Sequence, residues 1–162
     1  MPTIRLSPDD FSVCLHLAQE RAIESLRNDR KDALFEKDWV EAHRIHVIGA
    51  VGEVAFAKWL GVYPSFGVRQ FSGMMADIEA GCKYEVRHRL KTNHDLIIRD
   101  NDPADRVYIL TRGCPPEVEV AGWCWGGEFK GREDFTANWG SHGECLFVPA
   151  QELHDMTALP RG

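Results

Sequence analysis

Residues 39 to 61, WVEAHRIHVIGAVGEVAFAKWLG, limit the possible fold more than any other stretch of the chain. They read as one long helix that ends at Gly61, where a left-handed C-cap glycine is expected. Gly49, Ala50 and Gly52 stand at its centre. Each mid-helix glycine costs about 1 kcal/mol relative to alanine, and the usual compensation is close approach of another backbone. The helix is therefore expected to lie tightly against a sheet.

The flanking sequence supplies that sheet. Ser7-Pro8-Asp9-Asp10 is a helix start, with an N-cap serine, proline at the first helical position and acids in the first turn. A first helix is expected over 7–28, with Phe11, Cys14, Leu15, Ala18, Ala22 and Leu26 on one apolar face. The charged stretch from Asn28 to Asp38 reads as a solvated loop. After Pro64 the texture changes to short strand-like runs at 76–80, 84–89, 96–99, 107–111 and 118–123, separated by turn residues such as Ala80-Gly81 and Asp100 to Pro103. A strand from 145 and a short helix closing at 156 complete the reading. Helices followed by about five strands imply an α/β (α+β) fold, one sheet covered by helices.

The 162 residues are enough to bury about two thirds of the unfolded surface in one core. No repeat or linker divides the chain, so 1–162 is read as a single domain. The sequence has no apolar run long enough for a membrane span and no signal-peptide pattern at its start, so a cytoplasmic protein without membrane contact is expected. Five cysteines with no C-x-x-C pair fit scattered reduced thiols rather than a disulfide frame or zinc ribbon. A net charge of −6 argues against coating nucleic acid by bulk electrostatics. Locally the balance reverses. Residues 83 to 99 hold Lys83, Arg87, Arg89, Lys91 and Arg99 against Glu85 and Asp95, a local charge of +3.

Beside this basic strip stands a set of acids. A hairpin through Ala80-Gly81 brings Asp77 and Glu85 to one end of the sheet. Glu85 and Arg87, two residues apart on a strand, project from the same face. Glu53, on the small-residue helix, can add a carboxylate from the side. Hard divalent cations take oxygen ligands and keep several waters, lower the pKa of a bound water and neutralise charge on a phosphate in transfer. An arginine beside the carboxylates can stabilise that charge. Arg89 and Lys91 are candidate phosphate contacts on the same strand. His46 is another, two helical turns before Glu53.

The segments GAVGEVAFAKWLG (49–61), ADIEAGCKYEVRHR (76–89), DLIIRDNDPADRVYILTRG (95–113) and VEVAGWCWGGEF (118–129) resemble small phage and bacterial members of the PD-(D/E)XK nuclease superfamily. The similarity covers residues 43 to 130, with FVPAQEL (147–153) as a fitting tail. It implies a restriction-endonuclease-like core and a magnesium-dependent DNA nuclease, with Mn²⁺ able to replace Mg²⁺. Glu53, Asp77, Glu85 and Arg87 would be its catalytic residues, and Glu53, Asp77, Glu85 and the Val86 carbonyl its metal ligands. Arg87 departs from the family's lysine. It forks well onto phosphate but is effectively never deprotonated. The resemblance therefore also fits an inactive nuclease-like module that binds nucleic acid or a protein partner, and it leaves a homodimer open.

Each residue also has a plainer reading. Glu53 and His46 can be helix-surface residues, Asp77 a turn carboxylate, and Glu85 with Arg87 an exposed ion pair worth less than about 1 kcal/mol. His88 is expected to face away from Arg87 and to be structural. The tryptophans and phenylalanines between 123 and 139 fit a core better than a base-stacking platform.

Overall fold

A computed structural model describes residues 1–27, 39–63, 76–140 and 143–161. The expected loop from Asn28 to Asp38 lies outside the described residues. Two helices, α1 (Pro8–Arg27) and α2 (Trp39–Leu60), precede most of the strands. Ser7 and Asp10 exchange capping bonds at the start of α1: Asp10 N–H donates to Ser7 Oγ (3.1 Å) and Ser7 N–H to Asp10 Oδ2 (2.7 Å). Gly61 closes α2 with φ of +77°.

Strands β1 (Thr3–Arg5), β2 (Ile78–Ala80), β3 (Cys82–Arg89), β4 (Leu96–Arg99), β5 (Val107–Cys114), β6 (Glu117–Trp125), β7 (Thr136–Asn138) and β8 (Glu144–Val148) form two sheets. The larger has five strands in the order β1-β6-β5-β3-β2, with β3 and β5 parallel and its other pairs antiparallel. A mixed α/β architecture with a five-stranded mixed sheet and two helices is therefore present. Its membership differs from the expected one. The Leu96–Arg99 strand pairs with β8 in a separate three-stranded sheet, β4-β8-β7. Its place in the larger sheet goes to Thr3–Arg5, too short to show strand periodicity.

Alternation along the strands divides the core. Tyr84, Val86, Val107, Ile109 and Trp123 pack with Phe56 and Ala57 of α2. From the opposite face, Tyr108, Leu110 and Cys124 pack with Leu96, Ile98, Leu146 and Val148 of the smaller sheet. A third cluster joins Cys14 and Leu17 of α1 to Ala50, Val51 and Val54 of α2. The order is thus α1, α2, large sheet, small sheet. Because α2 is covered on both sides, it is apolar around most of its circumference. On α1 the buried stripe runs through Cys14, Leu17 and Ala18, whereas Phe11 and Leu15 are 37% and 43% exposed. The apolar face read from spacing was therefore rotated from the one α1 buries.

The two glycines of α2 serve different contacts. A β-carbon on Gly52 would stand 2.5 Å from both His88 Cβ and Thr111 Oγ1, so this residue sets how closely α2 seats on β3 and β5. Gly49 instead looks toward α1, with Arg21 Nη1 4.0 Å from such a β-carbon. The chain's end corrects another expectation. No helix covers 149–156: two 3-10 turns, Ala150–Glu152 and Met156–Ala158, flank an extended Leu153-His154. There the backbone bonds to β6 instead, His154 N–H donating to Trp123 O (2.8 Å) and Trp123 N–H to His154 O (3.2 Å). Met156 and Leu159 then join the core beneath Trp123.

Gly52→Ala should destabilise the fold by about 1–3 kcal/mol, because the clashing atoms lie at or next to the backbone. Gly49→Ala should be neutral or stabilise by up to about 1 kcal/mol through helix propensity. Urea denaturation of the two variants against the parent checks both signs.

Candidate functional site

Asp77 precedes β2 directly, and the hairpin forms as expected, with Ile78 opposite Tyr84, Ala80 opposite Cys82 and Gly81 at φ +77°. The ladder continues for one rung by backbone, Asp77 N–H donating to Tyr84 O (3.0 Å). The next donor on β3, Val86 N–H, is met by the Asp77 side chain, with 2.7 Å to Oδ2. Asp77 thus lies against the Glu85-Val86-Arg87 segment. Val86 takes part through its amide N–H, while its side chain is core.

Tyr84 and Val86 face α2, so Glu85 and Arg87 project from the other side of the sheet. Glu85 is nearly buried and its Oε1 forms an ion pair with Arg106 Nη1. Its Oε2 stands 3.6 Å from Arg87 Nη1. Arg87 in turn donates from Nη2 to Asp102 Oδ2 (2.9 Å), and its guanidinium lies over the Tyr108 ring, 5.3 Å from the centroid. Burial works against the Arg87 charge, but Asp102 and Glu85 outweigh it and the pKa is raised. Asp102 is fixed through the same oxygen by Arg99 N–H (2.9 Å). Lys130 Nζ clamps the loop by donating to the carbonyls of Asp100 (2.9 Å) and Asp102 (3.0 Å).

Glu53 is placed apart from this network. It belongs to the α2 stripe that faces α1, where Arg21 grips both of its oxygens at 2.8 and 2.5 Å. The expected third carboxylate is therefore not beside Asp77 and Glu85, because Gly49 and Glu53 face α1 while Gly52 and Phe56 face the sheet. His46 is half-buried on the stripe of Gly49 and Glu53. Among the described residues, no group of three or more His, Cys, Asp or Glu side chains could hold a metal ion. As they stand, these residues do not fit the expected Mg²⁺ or Mn²⁺ centre. Each of the three acids is engaged by a guanidinium or a backbone amide.

The basic strip lies further along β3. Arg89 pairs in register with Arg112 of β5, and Lys91 is exposed in the turn beyond. Arg112 is neutralised by Glu119 of β6, with 2.7 Å from Nε to Oε2. Burial pushes the Arg89 pKa down, opposed by Asp95, and Arg89 Nε is buried with no hydrogen-bond partner among the described residues. His88 faces the other way, as expected. Its Nδ1 lies 3.1 Å from Thr111 Oγ1, and burial pushes its pKa down to about 4 against the Gly113 backbone. Trp123 and Phe129 are core, whereas Trp125 and Trp139 are partly exposed.

Sequence reasoning missed Arg21, Asp102, Arg106 and Tyr108. The only available signal for Arg106 was its place directly before the apolar run of β5. No helix among the described residues is long and apolar enough to cross a membrane. Comparison with protein-family models, curated proteins and solved structures yields no match.

Arg21→Ala leaves the Glu53 carboxylate inside the α1–α2 interface without its partner, which should cost about 3–5 kcal/mol in urea unfolding. The His88 contribution has the opposite character to an ion pair. The unfolded imidazole protonates near 6.5 and the folded one near 4. Its contribution to stability is therefore complete above pH about 6.5 and is lost as pH falls toward 4, by up to about 3 kcal/mol. The stability difference between the parent and His88→Gln, followed over that window, should shrink accordingly as pH falls.

Proposed function

We propose that this chain is a restriction-endonuclease-like module that holds the phosphate backbone of nucleic acid, most simply DNA, on the arginine face of β3 and β5 without metal-dependent cutting. The observation that carries this reading is Arg89. Its Nε is buried without a hydrogen-bond partner among the described residues, between Arg87 two residues before it and Arg112 in register beside it. A phosphate oxygen offers this guanidinium an acceptor, and its charge adds to that of Asp95. The net charge of −6 confines attraction to this local face, so binding should be weak and strongly salt-dependent.

A second reading, a Mg²⁺-dependent nuclease hydrolysing DNA phosphodiester bonds, is favoured by a different observation. The Asp77 carboxylate bonds the Val86 amide on the strand that carries Glu85 and Arg87. That is the order of residues which the resemblance to PD-(D/E)XK nucleases implies.

Fluorescence anisotropy of a short labelled duplex in EDTA tests the first reading. With three phosphate contacts, affinity should fall about forty-fold between about 50 and about 200 mM salt, and Arg89→Ala should lower the salt slope by about one. No binding by the parent at low salt, or unchanged binding by Arg89→Ala, would remove this reading. Parallel incubation of linear, circular and single-stranded DNA with Mg²⁺ or Mn²⁺ tests the second. Cleavage by the parent that Asp77→Ala abolishes would establish it.

A further inference from the structure

The smaller sheet ends in an open edge. β7 is its outer strand, and all three residues of β7 are exposed. The register determines which of its main-chain groups are free. Trp139 N–H donates to Gly143 O (2.8 Å) directly beyond the Asn138–Glu144 pair. In antiparallel alternation the Asn138 N–H and C=O and the Thr136 C=O therefore point away from β8, toward the edge. Thr136 N–H is taken by the Glu133 carbonyl, which places Glu133 at the same edge. Beside it lies a cavity of about 530 Å³ whose walls include Arg99, Lys130, Glu133, Thr136, Glu144 and Leu146. Glu133 and Glu144 make no ion pair among the described residues, unlike the acids that meet Arg87, Arg106 and Arg112. Nor could any group of three acids among the described residues hold a metal ion.

We propose that β7 and this cavity bind an extended peptide with a basic residue, which adds as a fourth strand to the smaller sheet. Unmet main-chain donors and acceptors along an edge are completed by another strand, and the unpaired carboxylates beside them by a side chain of opposite charge. Paired residues share a face of a sheet, so Thr136 and Asn138 lie on the same side as Leu146 and Glu144, and three of these four line the cavity. A lysine on that side of the added strand can lay its apolar stem over Thr136 and Leu146 and bring its ammonium to Glu133 and Glu144. Distance separates the charges of the cavity. At about 4.8 Å per strand, Arg99 on β4 stands about 14 Å from the added backbone, so the wall nearest the peptide is acidic. The neighbours of the lysine turn to the opposite face, where Ala137 and the 37% exposed Trp139 favour apolar residues. The site is separate from the arginine face of β3 and β5 and is independent of what that face binds.

The test uses the full chain and a labelled, end-blocked peptide in which one lysine is flanked by valines, with no nucleic acid present, and follows binding by fluorescence anisotropy. The parent should bind this peptide at low salt. Exchanging its lysine for glutamate, or Glu144→Gln in the protein, should lower affinity about tenfold or more, as loss of a charge-assisted hydrogen bond does. Asn138→Pro removes the outward N–H and leaves every bond to β8 in place, so this variant should melt as the parent does and lose the peptide. Methylation of the peptide's amides should abolish binding at one set of alternate positions and be tolerated at the other. No binding by the parent, unchanged binding by Asn138→Pro, or equal affinity for the lysine and glutamate peptides overturns the inference. So does a dimer of the parent that Asn138→Pro dissolves in analytical ultracentrifugation, since a second copy would then occupy the edge. If Asn138→Pro does not fold, the methylated peptides decide, and equal binding of both sets overturns strand addition.

Discussion

The seat of α2 on the large sheet is the constraint from which the other contacts follow. At Gly52 the helix approaches His88 and Thr111 so closely that no side chain fits between them. That approach brings Phe56 and Ala57 onto Tyr84, Val86 and Ile109. With one side of α2 committed to the sheet, the stripe carrying Gly49 and Glu53 is left to α1. The same alternation that turns Tyr84, Val86 and His88 toward α2 turns Glu85, Arg87 and Arg89 away from it. One glycine therefore determines which acids meet.

The resulting electrostatics are distributed between two layers. Arg21 and Glu53 form a compact bidentate pair between the helices. Glu85, Arg87, Arg106 and Asp102 form a chain of alternating charge between the sheet and the β4–β5 loop. Buried charges persist in such arrangements only when each has a partner of opposite sign or an amide donor, and both clusters meet that condition. The cost is a loss of independence: altering any one member leaves another charged group in a low-dielectric setting. Arg87 is the least replaceable of them, since it is shared by Asp102, Glu85 and the Tyr108 ring.

Much of the fold was legible because it rests on local signals. Ser7-Pro8, Gly61 and Gly81 mark their boundaries through capping and positive φ, the strands of 107–114 and 117–125 are rich in β-branched and aromatic residues, and that of 82–89 shows itself by Tyr84 and Val86 alternating with charged residues. The same locality explains the errors. The face of α1 was misread because spacing alone does not say which of two overlapping apolar stripes another helix will cover. The 149–156 helix was misread because helix-compatible residues there surrender their backbone to Trp123, a tertiary preference invisible in the segment itself. At the candidate site the hairpin geometry of Asp77, Glu85 and Arg87 was readable from a turn and a period of two. The partners were not: Arg106 reaches Glu85, Asp102 reaches Arg87 and Arg21 reaches Glu53 across separations that no periodicity encodes.

The pairing of Thr3–Arg5 with residues 117–119 has a kinetic meaning beyond its modest length. Those first residues cannot be held in place until β6 exists and has found β5, and Met156 and Leu159 complete the same core from the other end of the sequence. Loop closure over more than a hundred residues must come before these contacts yield any return, so topology places this chain among slow-folding domains. Until then the edge of β6 stands uncovered, and a chaperone or a second nascent chain could find it first.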